Sequence, residues 1–277
     1  MQNDAVSNFL IHNDLLRPAA DSDIFEAING RSIYEVIKIA QGVALFFEDH
    51  MARMRQSARL LGLDLNQPDE SVLEQIAQLV RENRCPEANA KLVWTRVDGR
   101  PVYLTYFIAR EEPGPQAARR GIHTLLFEGR RDTPNIKTIS GSFRERVKAA
   151  RAREGAFEAL LLDAQGYITE GSRSNLFFLQ DGRLCTPPAE AVLMGVTRKQ
   201  VIAICSEMGL SVQERRLHRN ELEHLQGAII TGTTVDVLPI GSVDSLQLPS
   251  ASHPLLCDII RRYDALAAAY IAGRKAA

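Results

Sequence analysis

Cysteine is scarce and scattered in this chain of 277 residues. There are four, at positions 85, 185, 205 and 257, with no Cys-x-x-Cys and no cysteine–histidine spacing of a zinc site. Neither a disulfide framework nor a bound metal is implied, and reduced thiols in a reducing compartment are the plain reading. Lysine is scarce as well. The six are Lys38, Lys91, Lys137, Lys148, Lys199 and Lys275, a short field in which to look for a catalytic amine. Neither sign of charge dominates, the formal net charge being -1, so no strong field favours nucleic acid or an anionic membrane. No apolar run reaches the roughly 18–20 residues of a membrane helix. The amino-terminal stretch lacks the basic segment and apolar run of a signal peptide. The expectation is a cytoplasmic protein with neither a nucleic-acid nor a membrane partner.

The remainder has ordinary globular composition, 45% hydrophobic and 24% charged, and is long enough for one large or two medium domains. Residues 33–40 are rich in β-branched and aromatic side chains and read as a strand. Gln41-Gly42 turns the chain, and 43–47 returns as a strand. Two helices follow: one starts at Glu48-Asp49 and is stopped by Gly62, the other covers residues 70–82. Residues 91–97 and 102–109 form a hairpin about Asp98-Gly99. Residues 111–121, with two prolines and two glycines, mark a linker. The expected layout is a smaller domain over 1–115, a connection at 116–121 and a larger domain over 122–277. In the larger domain we expect strands at 122–127, 157–163, 167–170, 176–180, 184–186, 211–217 and 228–231. Helices are expected at 143–154, 197–208 and 219–225, with a tail helix at 254–272.

The chemistry-bearing residues cluster between positions 135 and 236. An apolar strand runs into Glu170, followed by the small polar run Gly171-Ser-Arg-Ser-Asn175. A carboxylate among strand residues tends to be buried and then needs partners, although an ion-paired strand-end glutamate would look the same. Leu193-Met-Gly-Val-Thr-Arg198 places Val196 and Thr197 at a helix start, where free amides and a hydroxyl suit a phosphate; threonine is also common at helix starts for its own sake. Thr231-Gly-Thr-Thr234 ends an apolar strand with hydroxyls and amides, as an ordinary strand exit also would. Lys137 lies between two isoleucines in an extended stretch after Pro134. Burial of such an amine favours its neutral, nucleophilic form, whereas an edge-strand lysine reaching solvent is the bland alternative.

In this order, Asn135-Ile-Lys-Thr, then Glu158-Ala-Leu-Leu-Leu-Asp through Thr169-Glu-Gly-Ser-Arg-Ser-Asn175, then Leu-x-Gly-Val-Thr-Arg, then Thr-Gly-Thr-Thr, the chain resembles the fold-type IV pyridoxal-phosphate enzymes. That family holds D-amino-acid transaminases, branched-chain transaminases and aminodeoxychorismate lyases, and the resemblance covers about residues 30–245. It implies a mixed α/β (α+β) fold of two domains with pyridoxal 5'-phosphate between them, in a homodimer. It implies that Lys137 forms the Schiff base and shuttles the substrate Cα proton. Glu170 would keep the pyridine nitrogen protonated, since a cationic ring is the better electron sink. Val196, Thr197, Thr233 and Thr234 would hold the phosphate together with Arg53, whose planar guanidinium suits it. Ser174 and Asn175, within the Thr-Glu-Gly-Ser-Arg-Ser-Asn run, complete the cofactor-binding set. Tyr34 would line the substrate side.

The sequence departs from its nearest branches. The D-amino-acid enzymes carry Arg-x-His in a longer loop, where this chain has the tight turn Val97-Asp-Gly-Arg100. Branched-chain enzymes carry a tyrosine five residues after the lysine, where this chain has Ser142, with Phe143 beside it. The segment before Tyr34 reads Ala27-Ile-Asn-Gly-Arg-Ser32 in place of a Gly-Asp-Gly pattern. Arg31, Arg96, Arg100 and Arg173 are therefore candidate partners for a substrate carboxylate. Glu35 after Tyr34, where the lyase branch usually has threonine, resembles the transaminases. The leading expectation is a transaminase acting on an amino acid, of D- or branched-chain type, and a 2-oxo acid. The alternatives are an aminodeoxychorismate lyase-like enzyme and a non-catalytic cofactor-binding relative.

Overall fold

The computed structural model describes residues 1–20, 23–30, 32–63, 67–129, 136–137 and 141–276, apart from the side chains of residues 118, 141 and 142. The chain divides into two compact units. One comprises Met1–Glu111, Ile136–Ile139 and Ala267–Ala277; the other comprises Glu112–Asn135 and Ser140–Leu266.

In the first unit the chain forms β1 (Phe9–His12), β2 (Leu15–Pro18), α1 (Asp23–Ala27), β3 (Ile33–Ala40) and β4 (Val43–Ala44). It continues with α2 (Phe47–Leu61), α3 (Asp69–Glu82), β5 (Ala88–Val97) and β6 (Arg100–Ile108). The strands pair antiparallel in the order β2-β1-β6-β5-β3-β4. Alternation decides the faces. Ile33, Ile37 and Ile39, with Ala90, Leu92 and Trp94, pack on Met51, Met54, Val72, Ile76 and Leu79 of the two long helices. Tyr34, Val36, Val93, Leu104 and Tyr106 form the opposite face with Phe25 and Ile28. Asp98 and Gly99 both take positive φ, the tight turn expected of this pair. Gly62 ends α2 in the left-handed conformation. The short strands β1 and β2 were not anticipated. β4 is shorter than expected, because α2 already begins at Phe47.

The second unit begins with α4 (Ala117–Arg120), β7 (Ile122–Glu128), α5 (Gly141–Glu154), β8 (Glu158–Leu162) and β9 (Tyr167–Gly171). Then come β10 (Asn175–Gln180), β11 (Arg183–Thr186), α6 (Val196–Glu207), β12 (Val212–Glu214) and β13 (Leu217–His218). The last strands are β14 (Gly227–Gly232), β15 (Asp236–Val243) and β16 (Leu246–Gln247), and α7 spans Pro254–Ala276. The strand order is β12-β11-β10-β14-β15-β7-β8-β9-β13, with β16 paired to β15. Leu160, Leu162, Ile168, Leu176, Phe178, Ile230 and Ile240 build its core.

The stretch 211–217, read as one strand, is two. β12 joins β11, whereas β13 joins β9. Residues 219–224, read as a short helix, form a 3-10 helix. β15 was not anticipated; its Pro239 and Gly241 are residue types that strands disfavour. The register shifts between Ile240 and Ser242, and the glycine has a packing reason. A Cβ on Gly241 would lie 2.0 Å from the Arg120 carbonyl oxygen. One on Gly121, whose φ is +77°, would lie 2.3 Å from the Gly241 nitrogen. Two backbones therefore touch where α4 leads into β7. Among the described residues, no helix is long and apolar enough to cross a membrane, and no His/Cys/Asp/Glu group could hold a metal ion.

Candidate active site

In the second unit, strand pairing and close packing bring the sequence motifs together. β8 and β9 pair Leu160 with Gly171 and Leu162 with Ile168, so β9 carries one extra residue between those pairs. A bulge of this kind re-aims a side chain, and Glu170 lies within it, 2% exposed. Its Oε2 accepts a hydrogen bond from the Leu193 amide at 3.2 Å. The Leu193 carbonyl accepts one from Asn175 Nδ2 at 2.8 Å. Leu193, in the segment leading to α6, is thus gripped at both its amide and its carbonyl by the residues on either side of the 171–174 loop.

Gly195 is the N-cap of α6 and brings no side chain to cap it. The first-turn amides of a helix have no intrahelical partner. Thr197 is 2% exposed and hydrogen-bonds the Tyr263 hydroxyl, whose pKa burial and nearby Asp236 push upward. The Thr231–Thr234 motif is adjacent, since Asn175 and Thr231 are paired across β10 and β14. Gly232 also lies against the Arg173 carbonyl, 3.3 Å from where its Cβ would be. Thr231 Oγ1 is buried, and among the described residues no group hydrogen-bonds it. A buried carboxylate, an uncapped helix start and an unsatisfied threonine hydroxyl at one end of the sheet fit a ligand with a ring nitrogen and a phosphate.

Ser174 and Arg173 have partners inside the protein. Ser174 Oγ donates to Glu158 at 2.9 Å. Arg173 donates to the Phe157 carbonyl at 3.1 Å, with its guanidinium 4.9 Å from the Phe157 ring. Val196 is buried, while Thr233 and Thr234 are half-buried in the turn after β14.

In the first unit, the Lys137 carbonyl accepts a hydrogen bond from the Tyr34 amide at 3.1 Å, along the edge of β3. Ile136 packs on the helix-side core, and Lys137 Nζ lies 5.0 Å from the Tyr34 ring centroid. Glu35, the next residue on β3, points to the helix side and is fully buried. Arg53 forks onto it, Nε and Nη2 each at 2.7 Å, and His50 Nδ1 is 2.9 Å away. Burial alone would raise the Glu35 pKa, but Arg53 and His50 hold it well below the carboxylate range. Burial pushes the His50 imidazole below its usual range against the pull of Glu35; it is neutral at pH 7 and donates its Nδ1 proton.

Arg96 and Arg100 are exposed at the β5–β6 turn, Arg96 bonding the Gly99 carbonyl at 3.3 Å. Arg31 and the Ser142 side chain lie outside the described residues.

Three groups were not singled out from sequence. Glu158 is fully buried; its signal was a lone charge opening an apolar strand. His50 stands three residues before Arg53 on one helix face, a spacing that could have marked a shared partner. Lys91 is 6% exposed, paired to Asp4 at 2.6 Å and set over the rings of Tyr34 and Tyr106.

A family model described as amino-transferase class IV matches residues 32–243. The chain is 27% identical over 235 residues to a D-alanine aminotransferase of Bacillus licheniformis, covering 80% of this chain and 82% of the relative. It is 31% identical over 241 residues to the branched-chain-amino-acid aminotransferase of Salmonella typhimurium, covering 79% and 78%. The crystal structure of Escherichia coli branched-chain amino acid aminotransferase superposes with a TM-score of 0.83 over 95% of both chains, at 23% identity.

Proposed function

The chain belongs to the class IV aminotransferases, enzymes that use pyridoxal 5'-phosphate, and we propose that Lys137 is its catalytic amine and an α-amino acid of D- or branched-chain type its donor, with a 2-oxo acid as acceptor. The observation that carries the residue assignment is the buried Glu170 carboxylate, held by the Leu193 amide next to an uncapped helix start. When bound, the cofactor supplies an electron sink for the negative charge left at the substrate Cα.

The chain's own residues do the rest. Glu170 keeps a proton on the ring nitrogen. The amides of Val196 and Thr197, with Thr233 and Thr234, bind the phosphate. Ser174 and Asn175 hold the loop and the α6 entry around it. Arg53, aligned by Glu35, adds a positive charge for the same phosphate. Lys137 Nζ would take the proton from the substrate Cα as general base and hold it beside the bound substrate. Tyr34 packs beside that amine, and Arg96, Arg100 or Arg173 meets a substrate carboxylate. The proposal includes a homodimer, as the family resemblance implies, and a reducing cytoplasmic setting, in keeping with four free cysteines.

A half-reaction screen tests this reading. Purified holoenzyme is mixed with L- and D-amino acids and simple amines, and the cofactor's absorbance is followed. Conversion to the amine form by one enantiomeric series, reversed by a 2-oxo acid, is the expected result. Pyruvate release from aminodeoxychorismate without an acceptor would replace it with the lyase reading. Absence of turnover over the whole panel would replace it with a non-catalytic one.

A further inference from the structure

Glu158 opens β8 with its side chain fully buried, yet among the described residues no cation reaches it within hydrogen-bond distance. The Arg173 Nε stands 3.7 Å from its Oε2. Four neutral donors surround it instead. Oε1 accepts from the Ala159 amide at 2.8 Å, the Ser172 amide at 3.1 Å and Ser172 Oγ at 2.5 Å. Oε2 accepts from Ser174 Oγ at 2.9 Å. Three of the four donors therefore lie in the turn between Glu170 and Asn175. Position 171 must be glycine for this to fit: a Cβ there would lie 2.0 Å from Ser174 Oγ and 3.2 Å from Glu158 Cδ.

Removing a carboxylate from water is costly, and an apolar side chain would fill the same space at less cost. The carboxylate does something packing does not: as an acceptor only, it fixes the direction of every donor around it. The ends of the turn it fixes are Glu170 and Asn175, which together grip Leu193 ahead of α6.

We propose that Glu158 is a positioning residue for the cofactor: by tying Ser172 and Ser174 inward it sets the spacing between the Glu170 carboxylate and the amides that open α6. This rests on the reading that Glu170 meets the ring nitrogen. A corollary concerns Ser174. Its hydroxyl proton is committed to Glu158, so Ser174 serves the cofactor through the loop and not as an outward hydroxyl donor.

The test compares wild type with Glu158→Gln, Glu158→Asp, the pair Ser172→Ala/Ser174→Ala, and Glu170→Gln. Three quantities are read: apoprotein melting temperature, the Kd of pyridoxal 5'-phosphate for the apoprotein, and the pH dependence of the bound cofactor's visible absorbance. Glu158→Gln is expected to keep a folded apoprotein while raising the Kd about tenfold or more, the size of a lost charge-assisted hydrogen bond. It should also move the absorbance midpoint in the same direction as Glu170→Gln. Glu158→Asp should recover part of both effects, and the serine pair should reproduce them should Glu158→Gln fold poorly.

A lowered melting temperature with unchanged Kd and spectrum in the Glu158 and serine variants would overturn the inference, leaving Glu158 a matter of packing alone. If Glu170→Gln itself leaves the spectrum unmoved, the ring-nitrogen reading is the part that fails.

Discussion

Asn175 occupies the space that any side chain at position 195 would need: a Cβ on Gly195 would sit 2.0 Å from Asn175 Oδ1. The asparagine cannot simply turn away. It is 5% exposed, and its Nδ2 is engaged by the Leu193 carbonyl. Gly195→Ala should therefore displace Asn175 and the Leu193 peptide together. The expected outcome is a Kd for pyridoxal 5'-phosphate raised about tenfold or more. The double variant Gly195→Ala/Asn175→Gly should lose less than the two single variants combined. Titration of the four apoproteins measures this; additive losses would contradict it.

Glu35 makes the first unit sensitive to acid. Its folded pKa lies below its unfolded one. The stability it contributes is thus present above about pH 4.3 and lost as pH falls toward the folded value. His50 acts in the same direction, because its folded pKa is also depressed, and its contribution declines as pH falls below about 6.5. Unfolding free energy should drop steadily from pH 7 to pH 3 in urea titrations. Glu35→Gln should cost about 3 kcal/mol at pH 7, the loss usual when one partner of a buried pair is removed. It should also flatten the acid limb of the curve. An unchanged acid limb would show that other carboxylates carry it.

Lys137 offers a covalent test. Borohydride treatment of the holoenzyme should attach the chromophore to the peptide containing this lysine. Lys137→Ala should slow the half-reaction with an amino donor by about a thousandfold, the middle of the range for a removed general acid–base group. Mass mapping of the reduced peptide and single-turnover absorbance provide the readings. A label on any other lysine would reassign the amine.

Gly241→Ala and Gly121→Ala test the backbone contact where α4 leads into β7. Each Cβ would intrude on main chain and not on a movable side chain tip, and residue 121 would also be strained at φ +77°. Each should cost about 1–3 kcal/mol or more in urea unfolding. A neutral substitution at either site would mean the two segments can separate without penalty.

The turns and alternations of the fold were legible. Asp98-Gly99 predicted a hairpin that the chain forms, and Gly62 stops a helix where its φ is positive. β15 was hidden because Pro239 and Gly241 are poor strand formers in isolation. Pairing with β14 just before it and with β7, more than a hundred residues earlier, makes it a strand. The same limit governs the site. Glu170 could be suspected from the polar run that follows it. Glu35 looked like a marker of family branch, since the helix that brings His50 and Arg53 over it is an event of tertiary packing. Glu158 was one letter at the head of an apolar strand, and its partners lie across a loop whose shape no local propensity reveals.

The surplus residue in β9 is the one link that separates position 170 from a regular ladder. Without Thr169, Ile168 and Gly171 could keep their partners with a single residue between them, and the glutamate would stand on unkinked backbone. The aim of this carboxylate thus hangs on a residue for which the neighbouring strand has no opposite number.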